Sequence, residues 1–483
     1  MSNRFSTRRR TPSVKTSGRT RPRRAAPPKA PVQPVPFGQA PEDGGGFMSL
    51  LLQRIGWEEL DGLQQRKHRA GRPPHRLSRG QLLAALLFHF TVSWAGSFAE
   101  HLLCLLGIQM SAGTLSERRQ AMPFEVFEEL LRRLLRPLPS TPASGRYRGL
   151  SLVAIDGVCF SLPNTPQIRQ SCRKVTNQRG RAAFAKLRCA ALIELVMHNP
   201  LAARVARSGE WEWKLAQGLL DHLPHNCLLL ADRLYGCGAF LVAAMQRLNL
   251  RQGHFLVRAK ESLKVLRLIK RLPDGSQLVE IKALETGDTH RVAATLQVRE
   301  IRARVQRAGF RAVRVRLWTS LLDWRQAPAH ELVDLYMTRW EQELYFRELK
   351  HELGINDLLR SQTVETAAQE VAAMIIGSSL IAHERSKLKP GQELAHRISF
   401  RKTWETLEPL WLTLLLGADI LSETQKQQLC ERFYWLASRR MMPKKRTRSC
   451  PRVLRQPILP WPRKRNQKTL TTPLTITIRS SNQ

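Results

Sequence analysis

Tyr336, Arg339, Glu343 and Lys350 stand at offsets of 0, 3, 7 and 14 along the chain. On a helix turning about 100° per residue, these offsets fall within an arc of about 60°. A carboxylate flanked by a phenol and two cations on one stripe suits a metal ion and a phosphate chain. Arg forks onto a phosphate and Lys supplies a point charge. Arg347 shares the face by the same period and is a further phosphate candidate. Upstream, Asp156 and Asp232 each end an apolar run that reads as a buried strand. Two strand ends and a packed helix can bring three carboxylates together. Transfer at a DNA phosphodiester needs that convergence, because two Mg²⁺ ions roughly 3.5–4 Å apart activate the attacking oxygen and stabilise the leaving one. Hard oxygen ligands suit Mg²⁺. Taken singly the acids are less specific. Asp156-Gly157 reads equally as a turn, and Asp232-Arg233 as a helix cap or surface ion pair. Glu343 alone is an ordinary helix residue, and Glu341, Glu348 and Glu352 read as helix-surface charges.

The composition points to a polyanionic partner. The 483 residues carry 78 Lys plus Arg against 39 Asp plus Glu, a formal charge of +39. Nucleic acid is the first expectation. Ten basic residues and no acid occupy 1–40, and thirteen cations and no acid occupy 439–479. Such segments read as solvated tails able to contact phosphates without a fold. A neutral sugar substrate does not suit this charge. The eight cysteines form no C-x-x-C pair, and no zinc-type His spacing accompanies them, so they read as core thiols in a reducing cytoplasm. The longest apolar stretch, Leu82 to Ala95, is broken by His89 and is too short to span a bilayer, so no membrane association is expected.

The elements that must hold the acids follow from periodicity and punctuation. Residues 1–45 read as a disordered basic arm and 46–145 as a helical DNA-binding domain. There Ser78-x-x-Gln81 and Ser97-x-x-Glu100 are capping boxes. After the Gly107 turn, Ser111 to Arg119 reads as the polar second helix of a helix-turn-helix DNA reader. Residues 146–253 hold strands and helices. Leu150–Asp156 is a strand with Val158–Leu162 as its hairpin return, Leu187–Met197 is another strand, and Cys227–Asp232 reads as a strand buried on both faces. Residues 254–322 alternate Val and Arg at period two, as half-exposed strands do. Residues 323–385 return to helix, 386–438 form a C-terminal helical region, and 439–483 read as a basic tail.

The spacing Tyr336-x2-Arg339-x3-Glu343-x6-Lys350 resembles the Y-x2-R-x3-E-x6-K signature of bacterial insertion-sequence transposases of the IS-four type. These are the hairpin-forming, cut-and-paste branch of the DDE transposases. Ile155-Asp156-Gly157 resembles that family's first Asp block, and Ala231-Asp232-Arg233-x-Tyr235 its second. Leu234 and Cys237 stand where the family more often has Gly and Ser. The resemblance covers about 70–385. It implies an α/β fold, an RNase H-like catalytic core with a β-strand insertion at 254–322 between helical N- and C-terminal regions. Asp156, Asp232 and Glu343 would hold two Mg²⁺ ions, for which Mn²⁺ can substitute. Tyr336, Arg339 and Lys350 would contact terminal phosphates of double-stranded DNA. Trp318 or Trp340 would stack on a flipped base, with a core position as the alternative for each. The implied activity is cleavage of element ends and joining of their 3′-hydroxyls to target DNA, by a homodimer on the bacterial nucleoid in the cytoplasm. The alternatives are an RNase H-like nuclease or resolvase without strand transfer, and an inactive DNA-binding relative.

Overall fold

The structure is a computed structural model. It describes residues 47, 51, 54–442 and 475–478, apart from 64–76, 94–95, 140–142, 173, 175, 178–179, 207–208, 285–291, 307–311, 354–357, 389–397 and 418–419. The expected arm at 1–45 and most of the tail lie outside the described residues.

Among the described residues the first full helices are α1 (Trp57–Gly62), α2 (Arg79–Thr91), α3 (Phe98–Leu106), α4 (Ala112–Gln120) and α5 (Glu125–Leu134). Both expected capping boxes form. Ser78 accepts from the Gln81 N–H while Gln81 accepts from the Ser78 N–H, and Ser97 and Glu100 repeat the exchange. Gly107 ends α3 in the left-handed region, at φ 66°, where a side chain is disfavoured. The helix-turn-helix outline is therefore present, but its arginine pair is turned inward. Arg119 donates to Ser361 Oγ at 2.7 Å and to the Thr366 carbonyl at 2.6 Å, and lies over the Phe90 ring. Arg118 donates to the Leu77 carbonyl at 3.1 Å. These two arginines tie α4 to its own protein.

The sheet strands begin with β1 (Arg146–Tyr147) and β2 (Leu150–Ser161). Here one expectation fails. Val158–Leu162 is no hairpin return, because β2 runs unbroken through Asp156-Gly157. After α6 (Pro166–Ser171) and the small ribbon of β3 (Thr176–Asn177) and β4 (Gly180–Arg181) come β5 (Lys186–Glu194) and β6 (Asn199–Val205). Then follow α7 (Glu212–Gln217), β7 (Cys227–Ala231), α8 (Gly238–Asn249) and β8 (His254–Arg258). The order is β6-β5-β2-β7-β8, with β2, β7 and β8 parallel and β5 and β6 antiparallel to their neighbours. This is an RNase H-like core. All five residues of β7 are buried, as its continuous apolar run demands.

β8 thus belongs to the core, although 254–322 as a whole reads as an insertion. The remaining strands, β9 (Arg267–Arg271), β10 (Gln277–Leu284), β11 (Val292–Gln306) and β12 (Val313–Thr319), extend the same sheet, because β12 pairs antiparallel with β8. Not every Arg of this alternating region faces water. Arg316 is buried against Glu300 at 2.6 Å, and buried Arg299 pairs with Asp274. An Arg goes inside where a carboxylate and carbonyls satisfy it.

The chain then runs through α9 (Ala329–Met337), α10 (Trp340–Arg347), a π-helical turn (Glu348–Glu352), α11 (Val364–Lys387), α12 (Phe400–Leu416) and α13 (Glu423–Arg439). α7 and α8 cover one face of the core sheet; α10 and α11 cover the other. α11 is long and apolar enough, by length and composition, to cross a membrane. In this fold α11 is the central core helix, enclosed by the sheet, α2, α5 and α12. A final strand, β13 (Thr475–Ile478), pairs antiparallel with β11. The tail expected to be wholly disordered is thus anchored at that point.

Candidate active site

Asp156 and Asp232 are brought together by the parallel pairing of β2 and β7. Ile155 and Ala231 are register partners, and each acid is the next residue along the chain. β7 ends there while β2 continues to Ser161, so the edge of β2 opens beside both carboxylates. Asp156 accepts from the Gly157 N–H at 2.9 Å, and Asp232 from the Leu234 N–H at 2.6 Å.

The third acid arrives by a route that the ideal-helix arc did not foresee. Tyr336 lies in the last turn of α9, Arg339 caps α10, and Lys350 falls in the π-helical turn. The stripe is therefore split across two helices and a wider turn. It still converges. Arg339 reaches Asp156 Oδ2 at 3.1 Å with one guanidinium nitrogen and Glu343 Oε1 at 2.9 Å with another. Tyr336, expected to contact a phosphate, is instead buried, and its hydroxyl donates to the Ala231 carbonyl at 3.2 Å, one residue before Asp232. Lys350 lies 5.6 Å from the centre of the Phe160 ring, on the same face of β2 as Asp156. Arg347 is exposed on α10. Trp318 is corrected: it is 2% exposed and its indole N–H donates to Glu300 at 2.9 Å, so it is a core residue and cannot receive a base. Trp340, at 57%, is exposed.

A family model of the transposase DDE domain matches residues 147–378, a span that contains all three acids. Over 320 residues the chain is 27% identical to Transposase InsG for insertion sequence element IS4 of Escherichia coli (strain K12), covering 65% of this chain and 69% of that protein. The chain carries a transposase DDE domain and is similar to the IS4 transposase. A cryo-EM structure of a piggyBac transposase synaptic complex with hairpin DNA also aligns, over 84% of this chain and 85% of that one, at 10% identity and a TM-score of 0.40, too loosely to carry an argument.

The family implies divalent-metal catalysis, and the residues of this transposase fit a hard dication. The available donors are carboxylates, and Mg²⁺ needs only one or two of them beside substrate oxygens. Among the described residues no three His, Cys, Asp or Glu side chains are gathered tightly enough to hold a metal as they stand. Asp156 and Asp232 form the close pair, while the Arg339 guanidinium stands between Asp156 and Glu343. Burial first, and the Asp232 charge second, push the Asp156 carboxyl up from 3.8 to about 7, against the pull of the Gly157 N–H and Arg339. A cation would relieve that repulsion.

Beneath the site, the transposase clamps α10 through His198. Its Nδ1 lies 2.7 Å from Glu348 and its Nε2 3.3 Å from Glu341. These two acids are not the free surface charges expected, and Glu352 likewise pairs with Arg401 at 3.4 Å. Burial lowers the His198 pKa, but Glu348 and Glu341 outweigh it and raise it from 6.5 to about 9. A raised histidine stabilises the fold fully below about pH 6.5 and loses that contribution as pH climbs through about 9. Wild type should therefore lose on the order of 3 kcal/mol relative to His198→Gln between pH 6.5 and 9.5. Chemical unfolding at the two pH values checks this, and equal losses in both proteins would refute the clamp.

Several rim residues carried no readable signal. Glu212 begins α7 and lies across Gly157, where any Cβ would collide with its side chain. The glycine after Asp156 is thus a close-approach glycine, not a turn. Trp211 is 75% exposed, with the Arg188 guanidinium 5.2 Å from its ring centre. Arg233, beside Asp232, shares a cavity of about 430 Å³ with Arg258 and Lys260.

Proposed function

We propose that this transposase holds two Mg²⁺ ions on Asp156, Asp232 and Glu343, cuts the ends of its element through a hairpin intermediate, and joins the freed 3′-hydroxyls to target DNA. The observation that carries this reading is Arg339, whose two ion pairs draw the acid of β2 and the acid of α10 to one guanidinium. When bound, the metal supplies Lewis acidity and lowers the pKa of the attacking oxygen. The chain's own residues do the rest. A DNA phosphate entering the notch would compete for Arg339 and release Asp156 and Glu343, the carboxylates that would hold the metal. Lys350 and Arg347 then sit along the backbone, and the buried Tyr336 hydroxyl fixes α9 against the end of β7. Trp340 and Trp211 are the exposed rings at this rim on which an unpaired base can stack. Synapsis of two ends by a homodimer, acting on the nucleoid in the cytoplasm, follows from the resemblance.

Labelled DNA carrying the element's terminal repeats, incubated with the protein and Mg²⁺ or Mn²⁺, tests the reading. Hairpin and joined products are expected. Nicks alone, with no hairpin and no joining, would replace the transposition mechanism with that of a simple nuclease.

The cavity lined by Arg233, Arg258 and Lys260 is proposed as a phosphate contact. Each neutralised phosphate contributes about 0.9 to the slope of log affinity against log salt. Changing all three residues to Ala should flatten that slope by about 2–3 while leaving sequence preference unchanged. An unchanged slope in a salt titration of binding would remove this cavity from the DNA path.

A further inference from the structure

Glu212 belongs to none of the motif blocks, yet its place beside them is built. It is the first residue of α7, on the face of the sheet opposite α10. Its carboxylate crosses Gly157, the residue after Asp156, and the absence of a Cβ there leaves the room. Its Oε1 accepts from the Tyr235 hydroxyl at 2.8 Å. Tyr235 is fully buried, and its N–H donates to the Asp232 carbonyl at 3.2 Å, so it closes the turn that Asp232 begins. Glu212 therefore spans the two aspartate blocks just where β7 stops and the edge of β2 opens.

The charge at this position calls for a reason. A glutamine would accept the same Tyr235 bond without adding a third negative charge beside two carboxylates. The oxygen that Tyr235 does not use, Oε2, lies against Gly157 at the open edge of β2, next to Asp156 in the chain. We propose that Glu212 is a further acidic side chain of the divalent-cation site, holding the cation from the face of the sheet opposite Glu343. This rests on the metal reading above. Glu212 acts either on the ion or on its bound waters, through the oxygen that Tyr235 does not use.

The test is Mn²⁺ affinity, measured by paramagnetic resonance on the full chain bound to a DNA duplex. It compares wild type, Glu212→Gln, Glu212→Ala, Tyr235→Phe and Asp156→Asn. Glu212→Gln keeps the acceptor for Tyr235 and removes only the charge, so circular dichroism and melting should be preserved. Its Mn²⁺ affinity should nevertheless fall by about tenfold or more. Tyr235→Phe, which keeps the charge, should fall much less. Wild-type affinity in Glu212→Gln, with weakened binding in Asp156→Asn, would overturn the role of Glu212 alone and leave it as a partner of Tyr235. If wild type binds no Mn²⁺, the metal reading and this proposal fall together.

Discussion

Replacing Asp156 with Asn is expected to abolish DNA cleavage while making the metal-free protein more stable at pH 8. The catalytic loss should be about 10³-fold or more, because a metal site supplies several kcal/mol of transition-state stabilisation and each 1.36 kcal/mol is about tenfold. The gain in stability follows from the raised carboxyl. Its folded pKa of about 7 lies above the ordinary 3.8. Ionisation therefore costs nothing below about pH 4, and the cost grows until pH passes 7. A carboxyl moved that far gives up on the order of 4 kcal/mol when charged, with the pull of Arg339 already included in the shift. A gain of up to about 4 kcal/mol at pH 8, shrinking toward pH 5, is the expected result of denaturant unfolding. Destabilisation of equal size at both pH values would mean that Asp156 is a structural ion-pair partner instead.

Arg339→Ala should lower cleavage by on the order of 10²-fold, the loss of about 3 kcal/mol typical of truncating one partner of a charge pair. Arg339→Lys should recover little. Its single ammonium cannot fork between Asp156 and Glu343, nor grip a phosphate with two parallel bonds. Duplex affinity should change less than cleavage in both variants, because the chain carries 78 Lys and Arg residues in all. A Lys variant that cleaves at the wild-type rate would show that only charge matters at this position, and that the fork between β2 and α10 has no role.

Much of the frame behind these residues was legible. The buried run before Asp232, the strand before Asp156 and both capping boxes rest on local rules, and they lie where those rules place them. The helix break did not show, because no Gly or Pro interrupts Tyr336 to Lys350. Thr338 and the π-helical turn bend the path through backbone geometry alone, so the 3.6-residue period reached the right residues along the wrong helix. β6 escaped notice because Pro200 demotes a strand, yet an edge strand tolerates it. The role of β8 depends on parallel pairing with β7, a long-range fact that its own five residues do not encode. Arg119, Arg299, Arg316 and Trp318 were misplaced for a shared reason. Their partners, among them Glu300, Asp274 and Gln369, come from distant segments, and an Arg reads as exposed until its acceptor is known. Glu212 left one trace, the glycine following Asp156, which stands equally well for a turn.

The central claim is that Asp156, Asp232 and Glu343 form one metal-dependent centre for cutting and joining DNA. The measurement that tests it most directly pairs a gel-shift with a cleavage assay on labelled element-end DNA in Mg²⁺, for Asp156→Asn, Asp232→Asn and Glu343→Gln. All three variants should bind the DNA as wild type does and cut none of it. Cleavage that survives Glu343→Gln would break the triad and remove α10 from the chemistry.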